Sequence, residues 1–261
     1  LWWWRGSTPN FGDELTWLLL ERITGRRTVR RPLEECDLVG IGSHLEKVYI
    51  GLRRNRPLVL GSGFLEEGPA ADPIGLPVLA VRGRRTSDRM PDAPADVLLG
   101  DPGLLAPELL GLGHPAVPHR DVVVIPHAMH VGTQFIEACR SDTRISVIDP
   151  KASPLDTIAS VRSARFVYAS GLHGLILADS LGIPNAWVSP GPELYGGTNK
   201  FADYYSSFGV DRTPTQVADL GADLVGFAKK NVDNKVFLPP HDLVEAKQHR
   251  LLGLFEDCRT I

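Results

Sequence analysis

The stretch 165-RFVYASGLHGLILADSL-181 changes character once along its length. Residues 165–169 are an apolar, aromatic run of strand length, and residues 175–181 are an apolar run suited to a helix. Between them lies Ser170-Gly171-Leu172-His173-Gly174, so His173 sits where a parallel strand ends and a helix begins. Open α/β sheets bind ligands at such carboxyl ends. Free backbone N–H groups at the helix start favour an anion there. A histidine beside that anion can move a proton near neutral pH. The same residue at a tight turn can equally serve to cap or pack it.

Working outward, the second half repeats this pattern. Strands are predicted over 122–125, 144–148, 166–169 and 185–188, with helices over 133–140, 155–163 (opened near Pro154) and 175–181. A βαβαβαβ run implies right-handed crossovers and a mostly parallel sheet. The first half carries short apolar runs at 1–4, 38–41, 57–60, 78–81 and 97–99, each ending near glycine or another small residue, as central parallel strands do. Leu15, Leu18, Leu19 and Ile23 mark an amphipathic helix over 13–23 with Asp13 near its positive end. A short helix is expected over 43–49, a loop over 66–77, and terminal helices over 214–229 and 241–255. Two glycines and two prolines mark 110–121 as a linker. The expected α/β architecture is two Rossmann-like domains, 1–115 and 116–261, facing each other across a cleft.

Composition narrows the classes. With 261 residues, 43% hydrophobic and 23% charged, the chain reads as globular, and its net charge of −3 with no long basic block argues against nucleic acid as a partner. Cys36, Cys139 and Cys258 are odd in number and far apart, which suits a reducing compartment. No apolar run reaches the length of a membrane span. The opening Leu1-Trp2-Trp3-Trp4 is too short for the core of a secretory leader and is expected to form a buried first strand, with contact to a membrane interface as the alternative. The chain begins without methionine, so residues are expected to precede Leu1.

Several loops at strand ends carry candidate ligands. In the opening loop, Asn10 and Asp13 can orient substrate hydroxyls or cap the first helix, while Gly12 permits close approach. Gly63, in Gly61-Ser62-Gly63, lies in a turn that can cradle a ligand. Arg82, Arg84 and Arg85 follow the strand 78–81, where a guanidinium can hold a phosphate or carboxylate bidentately, and Thr86 or Ser87 is positioned to cap the next helix. Asp101 lies at another strand end. His127 and His130 follow the strand 122–125; without nearby cysteines or an HExxH they do not suggest a metal, and His127 is a candidate for substrate contact. Ser170 and Gly174 flank the histidine turn. Lys200 is expected on a flexible loop, 196–205, adding positive charge for phosphate. Neither GxGxxG nor a P-loop occurs.

The ordered set Asn10-Phe11-Gly12-Asp13, Gly61-Ser62-Gly63, Arg82-Gly83 with Thr86-Ser87, Gly100-Asp101-Pro102, Ser170-Gly171-Leu172-His173-Gly174 and Lys200 resembles the polysaccharide pyruvyl transferase family, over about residues 4–209. The start Trp-Trp-Arg-Gly is similar to bacterial exopolysaccharide ketal-forming members. The resemblance implies a two-domain fold similar to GT-B glycosyltransferases, with phosphoenolpyruvate as donor substrate and no cofactor or metal. It implies an acceptor hydroxyl pair on a glycan or lipid-linked oligosaccharide. It further implies His173 as the catalytic acid or base and Arg82 as a donor-binding arginine. Beside it, the residues themselves make Asp13 a catalytic candidate able to bind or deprotonate acceptor hydroxyls, and Asn10, Gly63, Arg82, Arg85, Asp101, His127, Ser170, Gly174 and Lys200 candidate substrate contacts. Work in the cytoplasm, at the inner face of the plasma membrane with peripheral association, follows from such an acceptor. Many members carry arginine immediately before Leu-His, where this chain has Gly171; Arg84, Arg85 or Lys200 is expected to compensate. The chain is short for the family, which suggests a trimmed N-terminal domain. A nucleotide-sugar glycosyltransferase and a non-catalytic glycan-binding protein are the alternatives.

Overall fold

In the computed structural model, residues 1–5, 10–51, 54–113, 117–230 and 235–257 are described. Gly6 to Pro9 of the opening loop, the boundary expected at 115/116 and Cys258 lie outside them.

Asn10 does cap the first helix, its Oδ1 accepting from the Gly12 N–H at 3.1 Å, so α1 runs Phe11–Thr24 and stops at Gly25, whose φ of 68° few other residues tolerate. The chain then lays down β1 (Leu38–Val39), α2 (Leu45–Gly51), β2 (Leu58–Ser62), β3 (Val78–Val81), α3 (Arg84–Arg89) and β4 (Leu98–Leu99). These strands form a parallel sheet in the order β1-β2-β3-β4. Trp2 adds a parallel bridge to Val39. Trp2 and Trp3 are buried, as a first strand should be, whereas Trp4 is 47% exposed with the Lys47 ammonium over its ring.

A 3₁₀ turn (Pro102–Leu105) and α4 (Ala106–Leu109) lead to the second unit: β5 (Arg120–Ile125), α5 (Gln134–Ser141), β6 (Ile145–Val147), α6 (Pro154–Val161), β7 (Ala164–Ala169), α7 (Leu172–Ser180), β8 (Asn185–Ser189), α8 (Asn199–Ser206), β9 (Thr215–Gln216), α9 (Leu224–Lys230) and α10 (His241–Asp257). Its parallel sheet has the order β6-β5-β7-β8-β9. Ser153 caps α6, with Pro154 in its first turn.

Three expectations are corrected. The stretch 214–229 is not one helix: Thr215 joins the sheet beside Val188, and Gly221 at φ 70° separates it from α9. Lys200 is on the first turn of α8 rather than a loop. Gly83 stands at the N-cap of α3, so neither Thr86 nor Ser87 caps it.

Alternate residues of each strand enter different cores, so both sheets are covered on both faces. Val59, Val78 and Val81 pack with Leu45, Val48 and Phe64 on one side. Val122, Val124, Phe166 and Tyr168 pack with Phe135, Ile136 and Val225 on the far side. Between the sheets, Leu60, Ala80 and Leu98 share one cluster with Val123, Ile125, Val167 and Ala169, filled by Leu15 and Leu19 of α1, Leu175 and Ile176 of α7, and Leu251 and Phe255 of α10. Each fully buried leucine or isoleucine contributes about 1.5–3 kcal/mol. This central core fixes the strand ends of one sheet relative to those of the other.

Candidate active site

In the second sheet the chain steps from β5 outward to β6, then returns past β5 to β7. That reversal opens a crevice at the carboxyl ends of β5 and β7, where doubly wound sheets take ligands. The segments that leave those ends are Pro126-His127 and Ser170-Gly171-Leu172-His173. The buried Ser170 Oγ accepts from the His127 backbone N–H at 2.9 Å and ties them together. α7 begins at Gly171 without a side-chain cap. Gly174 lets α7 press onto the strand ends, since a Cβ there would lie 2.9 Å from the Ala169 Cβ. Its own N–H already donates to the Gly171 carbonyl at 3.2 Å.

His173 is half-buried, with the Phe11 ring edge-on at 6.3 Å between centroids. Its Nε2 is shut off from solvent and has no hydrogen-bond partner among the described residues. Buried polar atoms rarely go unpaired. Burial, then the charges of Lys200 and Arg82, then His44, push its pKa down to about 3, so the ring is neutral at pH 7. Its Nδ1 side rests against Gly12, where a Cβ would overlap the imidazole. Gly12→Ala is therefore expected to displace the ring and lower kcat by about 100-fold while leaving the fold intact, because small misplacements at a reacting centre cost that much. Steady-state kinetics with circular dichroism checks this, and an undiminished kcat contradicts it.

Lys200 and Asp13 belong to the same cluster. The half-buried Lys200 ammonium makes no hydrogen bond or ion pair among the described residues. Burial and then Arg82 lower its pKa to about 8, against an opposing pull from Asp13. Burial raises Asp13 from 3.8 to about 7, against the charge of Lys200. Lys200 thus couples to both a carboxyl with a raised pKa and a neutral imidazole.

Arg82 is 1% exposed, and its three nitrogens are all engaged: Nε with Asp203 Oδ2 at 2.8 Å, one terminal nitrogen with Ser43 Oγ at 2.6 Å, the other with the Phe64 carbonyl at 2.6 Å. Thr86 donates to Asp203 from its N–H at 2.8 Å and its hydroxyl at 2.7 Å. Gly63 is required here because a Cβ would meet the guanidinium, and Gly83 because one would overlap the Asp203 carbonyl. Arg82 thus joins the first sheet to α8, the helix that carries Lys200, and reaches His173 and Lys200 through its field.

Asp101 is buried, with Oδ1 accepting from the Gly103 N–H at 2.8 Å and Oδ2 without a hydrogen-bond partner among the described residues; burial raises its pKa to about 6, against the Gly103 hydrogen bond and Arg82. His127 is held neutral, pushed down to about 4 by burial, Lys200 and His130. Arg85 is not brought to this cluster: it is exposed and pairs with Glu67 at 2.8 Å. Asn10 is exposed and engaged as the α1 cap. Of the cations expected to compensate for Gly171, Lys200 is the one whose charge acts on His173. A side chain at Gly171 would meet His127 at 3.9 Å, an ordinary contact.

Sequence reasoning missed Asp203, Ser43, Lys47 and His44. His44 is buried, bonded through Nε2 to the Ile41 carbonyl at 3.0 Å, and held neutral by burial with a pKa near 3. The signal was present, since Gly40-Ile41-Gly42-Ser43-His44 follows an apolar run just as Gly61-Ser62-Gly63 does. Lys47 interacts with Asp13 from α2.

Among known proteins, the chain is 29% identical over 222 residues to the succinoglycan biosynthesis protein ExoV of Rhizobium meliloti (strain 1021), an alignment covering 82% of this chain and 66% of that protein. It is 28% identical over 211 residues to an uncharacterized protein of Acanthamoeba polyphaga mimivirus, covering 78% of this chain and 72% of that one. The chain thus spans about two thirds of the length of these relatives. Residues 10–192, from the cap of α1 to the loop after β8, match the family described as polysaccharide pyruvyl transferase. The match takes in the Gly12–His173 contact and the ends of β1 to β8, and the chain belongs to the polysaccharide pyruvyl transferase family.

Proposed function

We propose that the protein transfers the pyruvyl group of phosphoenolpyruvate to two hydroxyls of a glycan, forming a cyclic ketal and releasing phosphate. The observation that carries this reading is the Lys200 ammonium, without a hydrogen bond or ion pair among the described residues, whose charge acts on a neutral His173 with an Nε2 that has no hydrogen-bond partner among them. Such a pair suits an anionic donor beside a proton acceptor.

The reaction needs one proton delivered to carbon 3 of the donor and one removed from each attacking hydroxyl. As the first C–O bond forms at carbon 2, carbon 3 gains its proton; the carbon–oxygen bond to phosphate then breaks, and the second hydroxyl closes the ring. Phosphate departs with one of the protons that the hydroxyls release. In this reading Asp13, protonated, is the acid toward carbon 3, and neutral His173 takes protons from the hydroxyls. Lys200 holds the donor's phosphate or carboxylate, and Arg82 adds positive field from behind. Asn10, Gly63 and Asp101 shape the acceptor side or hold the loops that do, and His127 and Ser170 hold the loop that carries His173. Arg85 lies farther out, and a substrate role for it requires release from Glu67.

The two units then divide the work as in GT-B glycosyltransferases, with 1–115 on the acceptor side and 116–261 supplying the donor-binding histidine loop. The relative named for succinoglycan biosynthesis points to an exopolysaccharide or its lipid-linked precursor as acceptor. Phosphoenolpyruvate and the two buried free thiols, Cys36 and Cys139, suit the cytoplasm, at the membrane face where a lipid-linked acceptor is displayed. Among the described residues no helix is long and apolar enough to cross a membrane.

A pH dependence follows. Asp13 must hold its proton to act and loses it as pH rises through about 7, and Lys200 loses its charge through about 8. kcat/KM is expected to fall as pH climbs past 7, and a profile flat from about pH 6 to 9 contradicts the assignment. Stability carries the same sign for Asp13. Its folded pKa lies above the unfolded 3.8, so its contribution is full below that value and is lost as pH rises through about 7. Phosphorus NMR tests the function itself. Phosphoenolpyruvate should convert to inorganic phosphate only when a glycan acceptor is present; consumption of a nucleotide sugar with phosphoenolpyruvate untouched overturns the reading.

A further inference from the structure

A concavity of about 350 Å³ lies between the start of α3, the edge strand β4 and α10, and neither His173 nor Lys200 lines it. Arg84, Asp96, Leu99, Ser207, Lys247 and Arg250 line it. It adjoins a second hollow of about 550 Å³ that shares Asp96 and Arg250.

Its electrostatics are uncompensated. Lys247 is buried, donates to the Leu99 carbonyl at 2.8 Å, and is pushed down to about 8 by burial and then by the neighbouring charge of Arg250. The guanidinium groups of Arg84 and Arg250 make no hydrogen bond or ion pair among the described residues. Asp96 is the acid in this wall. The Ser207 hydroxyl is shut from solvent and has no hydrogen-bond partner among the described residues. Three cations against one acid leave a surplus of two positive charges, beside a hydroxyl that lacks a partner. A single carboxylate cannot balance that surplus, whereas a phosphate or diphosphate matches it and has oxygens enough for two guanidinium forks and a hydroxyl.

We infer that this groove is a second anion site, which takes a phosphate or diphosphate group, separate from the site at Lys200. The inference does not rest on pyruvyl transfer, and its test uses no turnover. Inorganic diphosphate is titrated calorimetrically into the full-length Lys200→Met protein, in which the first site has lost its free ammonium. One diphosphate site is expected to remain, and adding Arg250→Glu or Arg84→Glu should weaken it about 10-fold or more. Both arginines are exposed, and Arg250→Ala and Arg84→Ala give the same comparison should a charge reversal disturb the fold. Absence of diphosphate binding to Lys200→Met at millimolar concentration overturns the inference, as does an affinity indifferent to both arginines. A glycosyl diphosphate compared with the inorganic ion identifies the source: tighter binding of the former points to the carrier end of an activated glycan, and equal affinity to the free ion, the site standing in either case.

Discussion

Asp203→Ala is expected to lower the free energy of unfolding by about 3–5 kcal/mol, because it strands a buried guanidinium. Asp203 is 0% exposed and accepts three hydrogen bonds, from Arg82 Nε and from the N–H and hydroxyl of Thr86. No water reaches Arg82 to replace the lost partner, since its side chain is also buried. Native proteins of this size hold only about 5–15 kcal/mol in total, so the loss is a large fraction, and Tm should fall by roughly 10 °C. Urea denaturation measures it. Arg82→Met combined with Asp203→Leu should recover much of the loss, because an apolar pair of similar volume avoids the desolvation cost. A loss below about 1 kcal/mol in the single variant would show that the pair does not hold the first sheet to α8.

His173→Gln is expected to lower kcat by about 100- to 10,000-fold, the range for losing a positioned acid–base group. The fold should survive. The replaced ring is half-buried and makes no hydrogen bond through Nε2 among the described residues, so what is lost is its packing against Gly12 and the edge of Phe11. A glutamine at this site can still hydrogen-bond a ligand but cannot take its proton, which separates catalysis from binding: KM for the donor should change far less than kcat. A variant within tenfold of the wild-type rate would remove His173 from the proposed chemistry.

The sequence carries the second sheet from β5 to β8, because each of these strands lies in a mostly apolar run of strand length. Ser153-Pro154 marks the start of α6, whereas α7 starts at Gly171 with no side-chain cap. Residues 214–229 misled for a physical reason. Their apolar spacing suits a helix, yet pairing of Thr215 with Val188 and the left-handed Gly221 divide the segment. The turn at His173 and the glycines at 12, 63 and 83 stand out in the chain because close approach needs glycine. What was not legible is the partner of each close approach. Asp203 lies within the aromatic stretch Phe201-Ala202-Asp203-Tyr204-Tyr205, 121 residues from Arg82, and nothing local marks it as the counter-charge. The coupling of Asp13 to Lys200 is likewise a product of the shared core between the sheets, which brings α1 and α8 to the same strand ends.

The central claim is that this site transfers pyruvate as a ketal, and mass spectrometry of the glycan tests it most directly. The acceptor is incubated with phosphoenolpyruvate and either wild-type protein or His173→Gln. The account predicts that the wild type adds a pyruvyl increment that dilute acid removes, in proportion to the phosphate released, and that the variant adds none. A glycan left unmodified by the wild type while phosphoenolpyruvate is consumed, or equal modification by the variant, would contradict it.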